Sequence, residues 1–558
     1  MKTKRAWPLR HVLSIATMMI INLYFSSAVA IKATEETPDS TAIGIANTTS
    51  TQTGLIANPK CSGYASQYEL NGTNATLVCA LTANTVSGTY AGYVVTKIES
   101  GAFTQSSLFE ADISGTITNI GDGAFASCFS LNTVVLSNGV VELGKNCFSY
   151  CLSLNSITIP DSLHIIGDKT FYECRMLRSI QLGQGITDIG NRAFAYSGIT
   201  AITIPASVNY IGQNAFFPCS SLSSIVVNHS NTHYSSLNGV LYNADGTVLI
   251  QYPIVKNNSS FTIPDSVACI GENAFAFVSS LRNLTISENV TNIAPTAFYS
   301  NKIASFSVAT SNPAFISKDG VLYSKNLDTL VSYPVNMQSE ITFSTNLQSI
   351  GDYAFNSCTN LKTVTIPDTV TQIGEYAFLN CLSLKSVNIG SNVTSIGNFA
   401  FYGCSSLTNI VIPDSVTNIG VSAFYGCTAL KGVTLGKYVA NVGTYSFANC
   451  AKTLNIWAKG DAPVMANVFS SGTANTIMYL PGAQGWKSVR GITLRSWDFS
   501  PKVQMADTQI VLTWPVGTLL ETTNLATGPW VTNTASSPFV ISPAPDSPMK
   551  FYNVQYSK

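Results

Sequence analysis

The side chains able to do acid, base, nucleophilic or metal chemistry are few and poorly grouped. Four histidines occur in 558 residues, a thin supply of general bases near neutral pH. His229 and His233 stand four apart, but Ser230 follows His229 where the zinc helix motif needs a glutamate. His164 holds a position that related segments give to Thr or Asn, and reads as surface. The chain has no Gly-x-Ser-x-Gly elbow and no phosphate-binding Gly-Lys-Ser/Thr loop. Asp161, Asp265, Asp368 and Asp414 each follow a proline and read as turn formers, because a short carboxylate bonds the backbone ahead of it. Asn243-Ala-Asp245-Gly246 lacks the full calcium-loop spacing and its distal glutamate. No catalytic, metal or cofactor residue is expected, and the class is non-enzymatic.

Cysteine is the more informative residue. Nine of the thirteen (Cys128, Cys151, Cys174, Cys219, Cys358, Cys381, Cys404, Cys427 and Cys450) lie three residues after a phenylalanine. One thiol per copy, without Cys-x-x-Cys pairs, does not make a zinc site; it makes a ladder of small apolar groups. Stacked copies bring the α-carbons to about 5 Å, within disulfide range, but parallel side chains leave bonding open. Cys61 and Cys79 stand outside the ladder as a candidate disulfide, whose loop would contribute roughly 3 kcal/mol.

Those phenylalanines define the element that positions everything else. Phe103, Phe125, Phe148, Phe171, Phe194 and Phe216 are spaced by 22 or 23 residues. Phe275 and Phe298 follow, then Phe355, Phe378, Phe401, Phe424, Phe447 and Phe469 at the same spacing. A period in the low twenties is a solenoid period. Within a copy, Leu361, Val364 and Ile366 alternate as a short strand with an apolar inner side. Pro367-Asp368 ends that strand, and the later Ile373-Gly374 and Ala377-Phe378 fill the core from the opposite wall. One copy cannot bury both walls, so stability comes from stacking on neighbours.

The array breaks twice. Phe216 to Phe275 spans 59 residues and Phe298 to Phe355 spans 57. Both intervals hold the same inserted unit, Gly239-Val-Leu-Tyr242 with Gln251-Tyr-Pro253 and Gly320-Val-Leu-Tyr323 with Ser332-Tyr-Pro334. Each unit is either a projection flanking a site or a widened rung that extends the sheet.

Lysine plus arginine equal aspartate plus glutamate at 29 each, so no excess charge points to nucleic acid or an anionic membrane. Lys2, Lys4, Arg5 and Arg10 precede an apolar stretch Val12–Phe25 and then Ala28-Val29-Ala30, the pattern of a signal peptide cleaved after Ala30. Cleavage would leave 25 basic against 29 acidic residues. No later segment is long and apolar enough to span a membrane. The expected organisation is signal peptide 1–30, flexible leader 31–58, N-terminal cap 59–94 and solenoid 95–451, with inserted units near 228–260 and 309–341. A terminal repeat and cap follow at 452–498, then a small all-β module at 499–558. In that module Trp514 and Trp530 serve the core more readily than a sugar.

The Ile-Pro-Asp-Ser-Val, Ile-Gly and Ala-Phe-x-x-Cys elements, as at Ile263–Phe275 and Ile366–Cys381, resemble the leucine-rich repeats of the BspA-like type. The resemblance covers roughly 95–497. It implies a mainly β solenoid with short helical or irregular turns and a secreted or surface-attached protein. It further implies a binding role, since some family members adhere to host proteins or cells. The 499–558 segment resembles modules appended to secreted bacterial proteins.

If Leu, Val and Ile point inward, the residues between them face solvent. That row runs through Val135, Thr158, Gln181, Thr203, Val226, Thr285, Ser307, Thr365, Asn388, Val411 and Thr434, with Arg178, Arg282, Lys362, Lys385 and Lys431 beside it. Hydroxyls, amides and scattered cations suit many weak contacts with an extracellular protein or glycan; the same residues also suit any exposed sheet. The expected function is adhesion through this face. The alternatives are a display or spacer protein without a dedicated ligand and, after it, a secreted enzyme with an unrecognised site.

Overall fold

The computed structural model describes residues 67–79, 85–86, 89–335, 337, 341–469, 475–480, 482–487 and 492–496, together with the backbone of the strands between 502 and 555. The segments expected to be signal peptide and leader, together with Cys61, Trp514 and Trp530, lie outside the described residues.

Each copy winds through three walls. In the copy containing Phe378, the first wall is Thr363–Thr365, with Val364 buried and both threonines exposed. The second wall is the two-residue strand Gln372–Ile373, which buries Ile373 and pairs in parallel with Ser349–Ile350 and Ser395–Ile396. The sequence pattern assigned one strand to each copy. The Ile-Gly step supplies a second, and these shorter strands build the longer sheets, two of nine strands and one of five. Glycine is required there because successive rungs nearly touch. A Cβ on Gly397 would lie 2.6 Å from the Gly374 carbonyl carbon, and one on Gly190 would lie 2.5 Å from Asp168 N.

The third wall carries the phenylalanine and the cysteine. Among the described residues it is not helical. Left-handed residues flank most of these phenylalanines on both sides, as Tyr376 (φ 55°) and Asn380 (φ 56°) do around Phe378. This alternation turns successive N–H groups in opposite directions. Ala354, Asn356 and Cys358 donate three residues back within their own rung, while Tyr353, Phe355 and Ser357 donate to Glu375, Ala377 and Leu379 of the next. Every donor in the run is thereby satisfied without a helix.

The phenylalanine rings stack through the interior, 4.7 Å apart for Phe355–Phe378 and 4.9 Å for Phe378–Phe401. Aromatic pairs at such separations add about 0.5–1.5 kcal/mol each beyond their burial. The thiols follow the same column. Cys381, Cys404 and Cys427 donate to the carbonyls of Phe355, Phe378 and Phe401 at 3.1–3.2 Å, and all nine ladder cysteines are free. Burial pushes the Cys219 and Cys450 thiols up to about 12.

The inserted units are partitions. In each, three antiparallel strands follow one another, Tyr234–Leu237, Val240–Asn243 and Val248–Gln251 in the first, Phe315–Lys318, Val321–Ser324 and Thr329–Ser332 in the second. The third strand takes a rung's place in the second wall, pairing with Cys269–Ile270 or Ser349–Ile350. The middle strand is buried on both faces. Leu241 enters the core on its N-terminal side while Val240 and Tyr242 enter the next, and Leu322 against Val321 and Tyr323 repeats the arrangement. The core is thus divided into three blocks, spanning 75–241, 240–322 and 321–494.

Asparagine ties each partition to the rung before it. Asn312 donates to the carbonyls of Ser287 and Val290 and accepts from the N–H groups of Ala314 and Phe315, all within 2.9 Å. Asn231 repeats this with Pro205, Val208, His233 and Tyr234.

At the N-terminal end Gln67–Asn71 and Asn74–Cys79 form an antiparallel hairpin at the edge of the second wall. In the C-terminal segment, two antiparallel sheets order their strands as Lys502–Ala506, Gln509–Thr513, Phe539–Ile541 and as Val531–Asn533, Thr518–Thr522, Phe551–Gln555.

Candidate ligand-binding face

The side chains named for their chemistry do not converge. His164 and His233 are exposed; the His164 ring meets Gly185 O of the next rung at 3.0 Å, and the His233 ring meets the adjacent Thr232 Oγ1 at 3.1 Å. His229 is exposed as well. Among the described residues no three His, Cys, Asp or Glu side chains are placed to hold a metal. The Asn243 amide is used within its own hairpin, accepting from Val248 N and donating to Thr247 Oγ1.

The aspartates after proline bond further ahead than a turn requires. Asp161, Asp368 and Asp414 accept from the backbone N–H of Gln184, Ser391 and Lys437, each 23 residues on, at 2.6–3.0 Å. They clip one rung to the next. The Ser391 N–H and hydroxyl hold the Asp368 carboxyl below its ordinary range. Asp265 differs, offering its main-chain carbonyl to Asn289.

The first wall presents the outward row, in groups set by the partitions. Thr158 bridges to Gln181, and Thr203 pairs beside Val226. Thr285 lies beside Ser307 in the middle block, and Thr365 beside Asn388 in the last. At each partition the hairpin closes the strand edge. Gly239 and Gly320 carbonyls accept from Ile225 and Phe306 N–H, and Ser236 and Ser317 hydroxyls accept from Val227 and Val308 N–H. The row is therefore three shorter faces.

The flanking cations also differ. Arg178, Lys362, Lys385 and Lys431 are exposed. Arg282 is exposed but committed, donating to the carbonyls of Ser279, Leu281 and Lys302 at 2.7–3.3 Å. It braces a loop. Cys79 ends a strand, and its proposed partner Cys61 lies outside the described residues.

The widest face was missed by the repeat pattern. Thr434 is not the end of its row: Gly432–Leu435 pairs with Asn455–Ala458, then Asn475–Tyr479, then Ile492–Ser496, in a five-stranded parallel sheet beginning at Asn409–Val411. Register carries the outward row from Val411 through Thr434, Trp457 and Met478 to Arg495. Val411 is 57% exposed, and Arg495 is exposed. The Trp457 indole lies over Gly432, where an added Cβ would come within 3.0 Å of Cζ3. The cysteine ladder ends at Cys450, just before this strand, but alternation in Asn-Ile-Trp-Ala already turns Trp457 outward.

The BspA type leucine rich repeat region model matches six copies, over residues 96–223, 255–331 and 332–454. The chain belongs to this family. Among solved structures it is similar to a leucine rich cell surface protein from Faecalibacterium prausnitzii A2-165, with 27% identity, 67% of this chain and 93% of that one covered, and a TM-score of 0.42. It is similar also to a leucine-rich repeat protein from Eubacterium ventriosum ATCC 27560, at 23% identity over 67% of this chain and 83% of that one, with a TM-score of 0.37. A third is the pneumococcal vaccine antigen PcpA, at 17% identity over 77% and 96%, with a TM-score of 0.32. A search of curated proteins finds no match. Among the described residues no helix is long and apolar enough to cross a membrane.

Proposed function

We propose that this protein is an exported, non-enzymatic binding protein that holds an extracellular protein or glycan at the cell surface through the outward face of the first wall. One observation carries the reading. The first-wall strands alternate buried aliphatic residues with exposed, mostly polar ones, as in Thr363–Thr365 and Ser386–Asn388, so register holds the outward groups in fixed positions. Pre-positioned groups bind with less ordering cost than mobile ones. On the same reading, the hairpin Gln67–Cys79 and the segment 452–498 close the two ends of the array, and the N-terminal residues direct export.

The test is binding of the purified chain to arrays of extracellular-matrix proteins and glycans, beside a Thr365→Arg, Asn388→Arg, Thr434→Arg variant. Saturable binding lost in the variant is the expected result. A folded wild-type chain that binds nothing on either array would overturn the reading in favour of a spacer.

A further inference from the structure

Overall neutrality conceals a local asymmetry. The seven first-wall strands of the last block, from Thr363–Thr365 to Ile492–Ser496, contain no aspartate or glutamate. Along their leading edge, Lys362, Lys385 and Lys431 each stand immediately before a strand. All three are exposed, and among the described residues none lies within ion-pair distance of a carboxylate. Lys362 and Lys385 sit on adjacent rungs and Lys431 two rungs further, so they span three steps of about 4.8 Å each. Arg495 lies at the far end of the face. In the first block one corresponding strand carries Glu110 and Asp112, both exposed, and the positions of the lysines are held by Asn132, Asn155 and a single cation, Arg178.

A second feature of different chemistry shares this face. Trp457 stands one rung beyond Lys431, beside Gly432, between Thr434 and Met478. Asn409 and Thr476, within the same sheet, present an amide and a hydroxyl. A half-buried, outward-facing indole beside amides and hydroxyls can stack on the apolar face of a sugar ring while the sugar hydroxyls are bonded at the rim. A line of separated ammonium groups meets anionic substituents repeated along a linear polymer, by point-charge contacts that tolerate variation in position.

We infer that the last block binds a linear acidic polysaccharide lying across the strands, its carboxylates or sulfates on Lys362, Lys385 and Lys431 and a sugar ring on Trp457. This rests on the first wall being the binding face, and narrows its ligand to one chemical class and its place to one block. The N-terminal block, with two acids on one of its first-wall strands and a single flanking cation, takes no part.

The experiment compares dextran sulfate, unmodified dextran and polyglutamate as probes for the full chain, at two salt concentrations. Expected is binding to dextran sulfate that weakens with salt. The Lys362→Gln, Lys385→Gln, Lys431→Gln variant should bind at least tenfold more weakly and depend less on salt. Trp457→Ala should lose several-fold on dextran sulfate, and Arg178→Gln in the first block should bind as wild type. The lysines are exposed, so their variant keeps the fold; an unchanged melting profile checks Trp457→Ala. Polyglutamate binding as tight as dextran sulfate, with no effect of Trp457→Ala, would overturn the sugar assignment in favour of an acidic polypeptide. Stronger binding to dextran, or dextran sulfate binding indifferent to the lysines, would overturn the inference outright. Failure here together with a protein ligand lost in the Thr365, Asn388, Thr434 variant would overturn only this inference; no ligand on any array would remove the binding-face reading with it.

Discussion

The first and last blocks are built alike inside and decorated differently outside. Phe148 and Phe171 stack at 5.7 Å in the first, Phe378 and Phe401 at 4.9 Å in the last. Cys174 and Cys404 donate to the preceding rung's phenylalanine carbonyl with lengths of 3.1 and 3.2 Å. Outside, the first block places Glu110 and Asp112 on its sheet, and the last places Trp457 and three lysines on its own. The corner after the Ile-Gly step differs too: Asp122, Lys145 and Asp168 alternate in sign, whereas Asp352 and Glu375 put like charges on successive rungs. Shared interiors and divergent surfaces mean that the scaffold constrains inward residues by close packing and leaves outward ones free to answer to ligand or solvent.

If the interiors are equivalent, the same truncation should cost the same in each. Phe171 and Phe378 are fully buried, so Phe171→Ala and Phe378→Ala should each destabilise their own block by about 3–5 kcal/mol. Because a partition separates the cores, the loss should stay local, as nearest-neighbour coupling in repeat arrays allows. Amide exchange read segment by segment would show it. Protection lost equally in both blocks by either substitution would break the comparison, since it would make the three cores one cooperative unit.

The partitions test the boundary itself. Asn312 is 0% exposed and uses its side chain in four hydrogen bonds. Asn312→Ala strands two carbonyls and two N–H groups in a dry site, and should cost about 3 kcal/mol, with increased exchange in residues 309–341. Asn231 makes the same four bonds with water nearer to hand, so Asn231→Ala should cost about half as much. Equal losses at the two sites would show that burial does not separate them.

Much of this could be read from residue spacing, and the failures have physical reasons. The 22- or 23-residue period announced the solenoid because one buried aromatic per turn cannot drift. The outward row followed from strand alternation as far as Thr434. It stopped there because the cysteine signal ends at Cys450 while the strands continue, and Trp457 was lost with it. Val240-Leu241-Tyr242 shows no period, since a strand buried on both faces has no polar side. Asn231 and Asn312 read as ordinary loop residues, because their bonds are to main-chain atoms 22–26 residues away, or to N–H groups no side chain advertises. Tyr376 and Phe399 in left-handed conformation run against the preference for Gly or Asn there, and only cross-rung stacking at 4.7 Å accounts for bulky rings at such positions.

The charged corner gives the smallest effect and the finest test of the comparison. Burial raises the Asp352 carboxyl, and burial followed by the charge of Asp352 raises that of Glu375. Each therefore binds its proton more tightly folded than unfolded. Between the unfolded and the raised folded value the native state holds more protons, so stability falls as pH rises through that window and stays lower above it. Although neighbouring rungs desolvate its carboxyl, Asp352 as a whole residue is exposed, and that exposure screens the repulsion and keeps the gain from relieving it below about 1 kcal/mol. Asp352→Asn can still accept from Glu375 N, the bond made at 2.7 Å in the wild type, so the substitution removes charge while leaving the rung contact in place. Melting of the Asp352→Asn chain across pH 3.5 to 7 should show a flatter profile and slightly higher stability at pH 7. In the first block Lys145 stands 3.7 Å from Asp168, so Asp168→Asn should give no gain at pH 7. A gain as large as that of Asp352→Asn would mean that the order of charges along the corner, the sharpest outward difference between the two blocks, has no energetic consequence.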